Sequence, residues 1–229
     1  MKKSLILLHG ALGSSKQLDP LKEKMHESFE VYSFNFEGHG GRPTDSDFSI
    51  ALFVQNTLDF LKENNLDKSS FFGYSMGGYV ALKLAQIHPE KVEEIITYGT
   101  KFDWTIEKAE KEVRMLNPEK IEEKIPRYAD FLRNLHQPLD WKLVMGQTAK
   151  MMTTLGENPS LKDEDLKSIT TKTLICVGSK DQMITIEESE KAANLLMNGE
   201  LHIFENFDHP IEKVDVGVLS KIISVKFNA

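Results

Sequence analysis

Short runs of consecutive apolar residues recur along the chain and alternate with segments of helical periodicity. Six such runs are predicted as strands, at residues 4–8, 31–36, 70–74, 94–98, 173–177 and 200–204. Strands that are apolar on consecutive positions, rather than on alternate ones, are typical of a sheet covered on both faces. The pattern therefore predicts an α/β fold, with a six-stranded, mostly parallel sheet and helices on both of its faces.

The segments between the runs show the period of helices. One apolar face is formed by Ile50, Phe53, Val54, Thr57, Leu58 and Leu61, which is the spacing of an amphipathic helix. Residues 76–87 form a second helix, which ends before Pro89 because the residue preceding a proline avoids the helical region. A capping box at residues 185–188 opens a third helix through Leu196. A last helix begins at Pro210 and carries the stripe Ile211, Val214, Val218 and Ile222.

One connection is much longer than the others. Residues 99–172 make 74 positions between the fourth and fifth strands, roughly 50 more than a crossover helix and its loops need. Helices are predicted at residues 105–116, 118–135 and 139–155. We therefore predict a core of residues 1–100 and 170–229, with residues 101–169 inserted as a helical lid. Trp104, Met115 and Trp141 are candidate substrate-binding residues of this lid; the alternative is that they only form the insert's own small core.

Charge and cysteine content exclude several classes of function. The chain has 28 Lys and Arg against 35 Asp and Glu, a net charge of −7. A surface that follows phosphates needs the opposite excess, so we expect no nucleic-acid partner. The single cysteine, Cys176, excludes an intrachain disulfide and a Cys-rich zinc site. Because it lies in the apolar run 173–177, we expect a small core residue rather than a nucleophile.

The first residues resemble a secretory signal, with two lysines followed by an apolar run. The run stops at His9-Gly10, which is too early for the hydrophobic region of a signal, and it is predicted as a strand. No segment approaches the roughly 20 apolar residues of a membrane span. We therefore expect a cytoplasmic protein without a membrane span. The sequence gives no indication of the oligomeric state.

The segment Gly73-Tyr74-Ser75-Met76-Gly77 matches the pattern G-x-S-x-G, directly after a predicted strand and before a predicted helix. In that context the pattern indicates a nucleophilic serine. A tight turn from strand to helix places the serine hydroxyl above the edge of the sheet. The two glycines remove side chains that would clash there, and the helix N-terminus favours a developing negative charge.

Four further motifs follow other predicted strands in the same way. They are His9-Gly10-Ala11-Leu12-Gly13, Glu37-Gly38-His39-Gly40, Gly178-Ser179-Lys180-Asp181 and Asp208-His209-Pro210. With the serine motif, they resemble the α/β-hydrolase superfamily over essentially the full length of the chain. The resemblance implies a serine esterase-like enzyme on a compact core with a helical lid.

Two departures from the superfamily are visible. The family usually begins with a two-stranded hairpin before the His-Gly strand, and the eight residues here leave no room for it, so a reduced sheet of six strands is expected. The segment Asn35-Phe36-Glu37 stands where relatives commonly have Asp-x-Pro. We expect this second difference to affect a loop rather than the chemistry.

The resemblance also implies a catalytic triad, because a serine hydroxyl needs a base at neutral pH. In this superfamily the chain order is serine, acid, histidine. His209 follows the last strand and is the predicted base, whereas His202 lies inside that strand and is predicted to be structural. Asp181 is the predicted acid, with Asp103 as the alternative. Asp208 is expected to cap the last helix instead.

The oxyanion hole needs two backbone N–H groups aimed at the developing charge. The resemblance assigns them to Met76, after the nucleophile, and to Ala11, after the His-Gly pair. His9 and His39 resemble the structural loop histidines of the family. The chain lacks a Walker loop, a dinucleotide fingerprint and a His-Glu-x-x-His motif, so no cofactor and no metal are expected.

Three functions are consistent with these residues. The first is hydrolysis of carboxylic esters of small or medium, partly apolar substrates through an acyl-enzyme. The second is C–C bond hydrolysis, or a lyase reaction like that of the menaquinone-pathway synthases, with the same triad; Tyr79 stands where those synthases carry an arginine. The third is a ligand-binding or receptor module on a hydrolase fold. The natural substrate is not specified by fold and triad.

Overall fold

Six parallel strands form a sheet at the centre of the structure, a computed structural model that describes residues 2–228. The strands are β1 (Lys3–Leu8), β2 (Phe29–Ser33), β3 (Ser69–Tyr74), β4 (Val92–Tyr98), β5 (Lys172–Gly178) and β6 (Gly199–Phe204), and their order across the sheet is β2-β1-β3-β4-β5-β6. All neighbouring strands pair in parallel, which confirms the predicted sheet. Met1 and Ala229, at the ends of the predicted core ranges, lie outside the described residues.

Helices cover both faces of the sheet. In chain order they are α1 (Asp19–Met25), α2 (Ile50–Glu63), α3 (Met76–Ile87), α4 (Ile106–Met115), α5 (Pro118–Lys124), α6 (Pro126–His136), α7 (Trp141–Glu157), α8 (Asp163–Ser168), α9 (Ile186–Leu195) and α10 (Val216–Asn228). On β1, Leu5 and Leu7 belong to the core beneath α1 and α10, whereas Ile6 and Leu8 belong to the core beneath α2, α3 and α9. Both sets are fully buried, which explains why the strand is apolar at consecutive positions.

Strand β2 is shorter than predicted. It ends at Ser33 rather than at residue 36, because the backbone N–H of Phe36 donates to His9 Nε2 instead of joining the sheet. The ring of Phe34 stacks on Phe60 of α2, with 4.5 Å between ring centroids. This packing of Phe34 on α2 therefore ends β2 three residues before the predicted end.

The C-terminal helix also begins later than predicted. Pro210 precedes a short 3-10 turn at Ile211–Lys213, and α10 starts at Val216. The carboxylate of Asp215 accepts a hydrogen bond from the Val218 N–H and caps the helix. Ile211 and Val214 of the expected stripe are buried but lie before the helix, Val218 is exposed, and the side chains that α10 buries are Leu219, Ile223 and Phe227. The prediction that Asp208 caps this helix was wrong.

The connection between β4 and β5, which we call the β4–β5 insert, holds α4 to α8. The predicted helix over residues 118–135 is broken into α5 and α6 at Pro126, since proline lacks an N–H and excludes a continuous helix. The short α8 was not predicted. Helices α4 and α7 pack closely, and a methyl group at Gly156 would lie 2.5 Å from the side chain of Ala109.

None of the helices within residues 2–228 has the length and apolar character needed to cross a membrane.

Candidate active site

Ser75 occupies the turn between β3 and α3 in a strained backbone conformation. Its φ is +50° and its ψ is −115°, a region that non-glycine residues avoid. Two neighbours hold the turn: the Ser75 N–H donates to the Tyr98 carbonyl at 2.8 Å, and the Thr100 hydroxyl donates to the Ser75 carbonyl at 2.9 Å. The end of β4 thus fixes the position of Ser75 on both sides.

The glycines that flank Ser75 are required by close backbone contacts. A methyl group at Gly73 would lie 2.3 Å from the backbone N of Gly78, and one at Gly77 would lie 2.3 Å from the Leu8 carbonyl oxygen. Backbone atoms cannot move aside as a flexible side chain can. The two glycines therefore allow α3 to start directly above the ends of β1 and β3.

His209 and Asp181 are paired in the loops that follow β6 and β5. The Nδ1 of His209 lies 2.8 Å from Oδ2 of Asp181. The Asp181 side chain is fully buried and the His209 side chain is 10% exposed. The other carboxylate oxygen, Oδ1, accepts from the N–H groups of Met183 and Ile184, at 2.8 and 2.9 Å. A carboxylate acceptor makes Nδ1 the protonated nitrogen of the neutral ring, so that Nε2 is the free base.

Two residues at the end of β4 shape this pair, and the motifs did not identify them. Gly99 follows β4 with φ +64°, and a methyl group there would lie 3.1 Å from His209 Nδ1. The Tyr98 hydroxyl donates to the carbonyl of Asp208 and holds the loop that carries His209. The available signal for Gly99 was a glycine directly after a buried strand.

Ser75 and His209 line the same two cavities. The first, which we call the inner cavity, has a volume of about 50 Å³ and is also lined by Ala11, Met76, Tyr79, Trp104 and Met151. The second, the outer cavity, has a volume of about 400 Å³ and is also lined by Met115, Tyr128, Phe131, Pro210 and Glu212. Both combine residues of the core with residues of the β4–β5 insert. The insert therefore covers the edge of the sheet where the serine and the histidine lie.

The two N–H groups assigned to the oxyanion hole lie in suitable local structures. Met76 is the first residue of α3, where backbone N–H groups have no partner within the helix. Ala11 lies in a turn closed by the Gly13 N–H on the Gly10 carbonyl. Both residues line the inner cavity with Ser75.

His136, a histidine of the insert, connects the loop that contains Gly40 to the turn that contains Leu12. It accepts from the Gly40 N–H at Nδ1 and contacts the Leu12 carbonyl through Nε2, both at 3.1 Å. The other loop histidines are structural as expected: His9 contacts the Gly10 carbonyl and His39 that of Glu37. Burial lowers the pKa of all three rings, and that of His9 to about 4. They are therefore neutral at pH 7.

The three insert residues predicted at the pocket have different positions. Trp104 lines the inner cavity and Met115, 54% exposed, lines the outer one. Trp141 is 3% exposed and packs with Ile121, Ala129, Leu132 and Met145. Its expected place at the pocket wall was wrong, because α7 turns this side chain into the small core of the insert.

The remaining candidates lie outside the pair formed by Asp181 and His209. Asp103, the alternative acid, binds Lys108 at the start of α4. His202 is partly buried and packs edge-on against Phe204, with 4.5 Å between ring centroids. Cys176 is fully buried, which raises the pKa of its thiol. No hydrogen bond joins Ser75 to Asp103, His202 or Cys176 among the described residues.

The described residues bring together no group of three or more His, Cys, Asp or Glu side chains placed to hold a metal ion. Charge at the inner cavity is instead supplied by a buried ion pair, in which Lys101 Nζ lies 3.2 Å from a carboxylate oxygen of Glu112. This pair was not predicted, since neither residue belongs to a motif.

Comparison with known proteins identifies relatives of this chain. A family model described as alpha/beta hydrolase fold matches residues 3–127. The esterase YbfF of Escherichia coli is 25% identical over 92 residues, which are 40% of this chain and 36% of the esterase. The 2-hydroxymuconate semialdehyde hydrolase of Pseudomonas putida is 25% identical over 194 residues, 75% of this chain and 66% of that enzyme.

Solved structures share the fold over the whole chain. The 2-hydroxy-6-oxo-6-phenylhexa-2,4-dienoate hydrolase of Rhodococcus sp. strain RHA1 superposes with a TM-score of 0.83 and 17% identity, covering 100% of this chain and 91% of that one. At this identity the likeness concerns the fold alone. The matches to the first three curated relatives, the E. coli esterase among them, span only 32–36% of their length.

Proposed function

Because the chain belongs to the alpha/beta hydrolase fold family, an enzyme family, we propose that it is a serine hydrolase of carboxylic esters. The observation that carries this proposal is the pairing of His209 with a buried Asp181, on a cavity wall that also includes Ser75 in its strained turn. Strain of this kind persists only where the surroundings impose it and is concentrated at functional sites.

In the proposed reaction, Ser75 Oγ attacks the ester carbonyl carbon while His209 Nε2 accepts its proton. The N–H groups of Ala11 and Met76 stabilise the oxyanion, and Asp181 holds the protonated imidazole. The C–O bond to the alcohol then breaks, and His209 passes the proton to the departing oxygen. Water attacks the acyl-enzyme with its proton going to His209, and the acid leaves as Ser75 recovers a proton.

The β4–β5 insert is proposed to act as a lid, residues 101–169, over a substrate of small or medium size. Its residues Trp104, Met115 and Met151 contribute apolar surface to the two cavities. A binding site with apolar walls and few polar groups is typical for small molecules. We therefore expect esters with an apolar part.

The test is hydrolysis of a series of p-nitrophenyl esters by the wild-type enzyme and by Ser75→Ala. We expect the substitution to reduce kcat by about 10⁴-fold or more, because the nucleophile is lost. A fluorophosphonate probe followed by peptide mapping should label Ser75 in the wild type. Ester hydrolysis that persists undiminished in Ser75→Ala contradicts the proposal, as does labelling at another residue.

A second candidate is hydrolysis of a C–C bond by the same residues. Of the two curated relatives described, the 2-hydroxymuconate semialdehyde hydrolase has the longer match, which favours this candidate. Tyr79, where the related synthases carry an arginine, accepts a hydrogen bond from the Leu161 N–H at 2.8 Å and supplies no charge. Turnover of a vinylogous 1,5-diketone acid without turnover of any ester would select this candidate over the esterase.

A further inference from the structure

The ion pair of Lys101 and Glu112 lies on the wall of the inner cavity and joins the first residues of the β4–β5 insert to its helix α4. Lys101 follows β4 by three residues, and Glu112 belongs to α4. Their side chains are 13% and 8% exposed. A buried ion pair costs free energy of desolvation that its own attraction repays only with good geometry and further hydrogen bonds. This pair therefore needs further hydrogen bonds, which a bound substrate can supply.

Hydrogen-bond donors at this wall outnumber their partners. An ammonium has three N–H donors, and within residues 2–228 Glu112 is the one carboxylate that pairs with Lys101. The Lys101 Nζ also lies 5.7 Å from the centre of the Trp104 ring. The indole N–H of Trp104 is buried and has no hydrogen-bond partner among the described residues. The Lys101 ammonium and the unpartnered indole N–H of Trp104 thus belong to two residues that line this cavity, whose wall also includes Ser75 and His209.

The charge of this wall selects among substrate groups. The ion pair is neutral as a whole, so a substrate carboxylate would add an uncompensated negative charge beside Glu112. A plain alkyl group would leave the donors of Lys101 and Trp104 without an acceptor, which is costly in a buried site. A hydroxyl group accepts from Lys101 or Trp104 and donates to Glu112. A hydroxyl is therefore the small group that satisfies both the donors and the acceptor of this wall.

The position of the cavity indicates which half of an ester it receives. The inner cavity is lined by Met76 and Tyr79, which follow Ser75 in α3. The outer cavity is lined by Pro210 and Glu212, which follow His209. His209, which protonates the departing alcohol, lines both cavities, but the residues that follow it line the outer cavity and not the inner one, so we assign the alcohol to the outer cavity. The inner cavity, about 50 Å³ in volume, is left for a short acyl group.

We propose that the inner cavity selects short hydroxyacyl groups and that Lys101, Glu112 and Trp104 are the specificity-determining residues. This inference rests on the proposed esterase function. It assigns the substrate class as esters of small hydroxy acids.

The first test compares two esters that differ only in a hydroxyl and a methyl group, ethyl 3-hydroxybutanoate and ethyl 3-methylbutanoate, with monoethyl succinate as the anionic probe. Rates are measured by proton release at constant pH. We expect kcat/KM for the hydroxy ester to exceed that for the methyl ester at least about tenfold, since a site built for a hydroxyl rejects analogues without it. The succinate should be the poorer acyl group. Equal rates on the first two esters, or a faster reaction of the succinate, overturn the inference.

The second test uses variants of the three residues. Trp104→Phe keeps an aromatic ring and removes the N–H, and the double variant Lys101→Met/Glu112→Leu replaces the ion pair by apolar side chains. Both should bring the rate ratio of hydroxy to methyl ester towards one. Lys111→Met, an exposed lysine of α4 next to Glu112, is the matched control and should keep the wild-type ratio.

The two variants also separate the possible failures. Where the double variant does not fold, Trp104→Phe decides alone. A wild-type ratio in Trp104→Phe, with an unchanged Tm, rejects the assignment of the hydroxyl site. If neither these esters nor p-nitrophenyl acetate are hydrolysed by the wild type, the esterase proposal itself fails, and that result is distinct from hydrolysis without selectivity.

Discussion

Gly99 lies directly against the imidazole of His209. It adopts φ +64°, and a methyl group there would be 3.1 Å from Nδ1 and 3.2 Å from Cε1 of that ring. The same methyl group would be 3.5 Å from Oδ2 of Asp181. The backbone after β4 thus forms the surface on which the pair of histidine and aspartate is seated.

Replacing Gly99 by alanine should displace the imidazole and lower kcat for ester hydrolysis by about tenfold or more, since small shifts of catalytic groups are costly. Alanine in this left-handed backbone conformation should also lower the free energy of unfolding by about 1–2 kcal/mol. Steady-state kinetics and urea denaturation measure the two effects. Gly146→Ala is the control: apart from its chain neighbours and the backbone of its own helix turn, no atom lies within 4 Å of the new methyl group, so in α7 it should be neutral or stabilising. An unchanged kcat in Gly99→Ala would show that the contact has no catalytic role.

Asp181→Asn should reduce kcat by about 10³- to 10⁴-fold while the protein stays folded. The amide oxygen can still accept from the N–H groups of Met183 and Ile184, so the turn persists. The amide nitrogen would then face His209 as a donor, which places the ring proton on Nε2 and removes the base. Thermal denaturation checks folding, and ester hydrolysis checks the loss.

Asp103→Asn is the matched control for this substitution. Its carboxylate binds Lys108 at the surface, and we expect kcat to stay within about twofold, as for surface changes in general. A larger loss in Asp103→Asn than in Asp181→Asn would exchange the roles of the two residues.

The parts of the site that depend on local backbone geometry could be predicted from the sequence. The strand, the strained serine and α3 occupy consecutive residues, and the glycine at 73 is required by a contact inside this segment, with the backbone N of Gly78. Likewise, α3 begins and ends at the predicted residues, because Pro89 terminates it. Where one short segment contains both the cause and the effect, the pattern is sufficient.

Contacts between distant segments could not be predicted in this way. His136 binds Gly40, 96 positions away, and the partnership of Lys101 with Glu112 depends on how α4 packs against the core. Trp141 was misplaced for the same reason: an apolar residue of the insert fits either the pocket or the insert's own core. The choice is made by the rotation of α7, which helical periodicity alone does not fix.

Acid should destabilise the fold through its buried histidines. The pKa of His9 is lowered by burial from 6.5 to about 4. Between pH 6.5 and 4 the unfolded chain therefore binds a proton that the folded chain does not, so stability is complete above pH 6.5 and is lost as the pH falls towards 4. This difference amounts to about 3 kcal/mol for His9.

The measurement is urea denaturation at pH 7.5 and pH 4.5. His9→Gln keeps a donor for the Gly10 carbonyl and an acceptor for the Phe36 N–H, but it does not titrate, so its free energy of unfolding should fall less between the two pH values than that of the wild type. His26→Gln, at an exposed position, should follow the wild type. An equal loss in all three proteins would assign the acid sensitivity to other groups.

The strain at Ser75 should be measurable as a difference in stability between two variants that both lack the hydroxyl. Ser75→Ala retains a side chain at φ +50° and ψ −115°, whereas Ser75→Gly removes it. Strain of this kind costs on the order of 1–3 kcal/mol, more than the roughly 0.5–1 kcal/mol that glycine loses in chain entropy. We therefore expect the glycine variant to be the more stable by about 1 kcal/mol in urea denaturation. At Ser220, inside α10, the order should reverse, because glycine is the poorer helix former there. If the alanine variant is the more stable at both positions, the backbone at Ser75 is not strained.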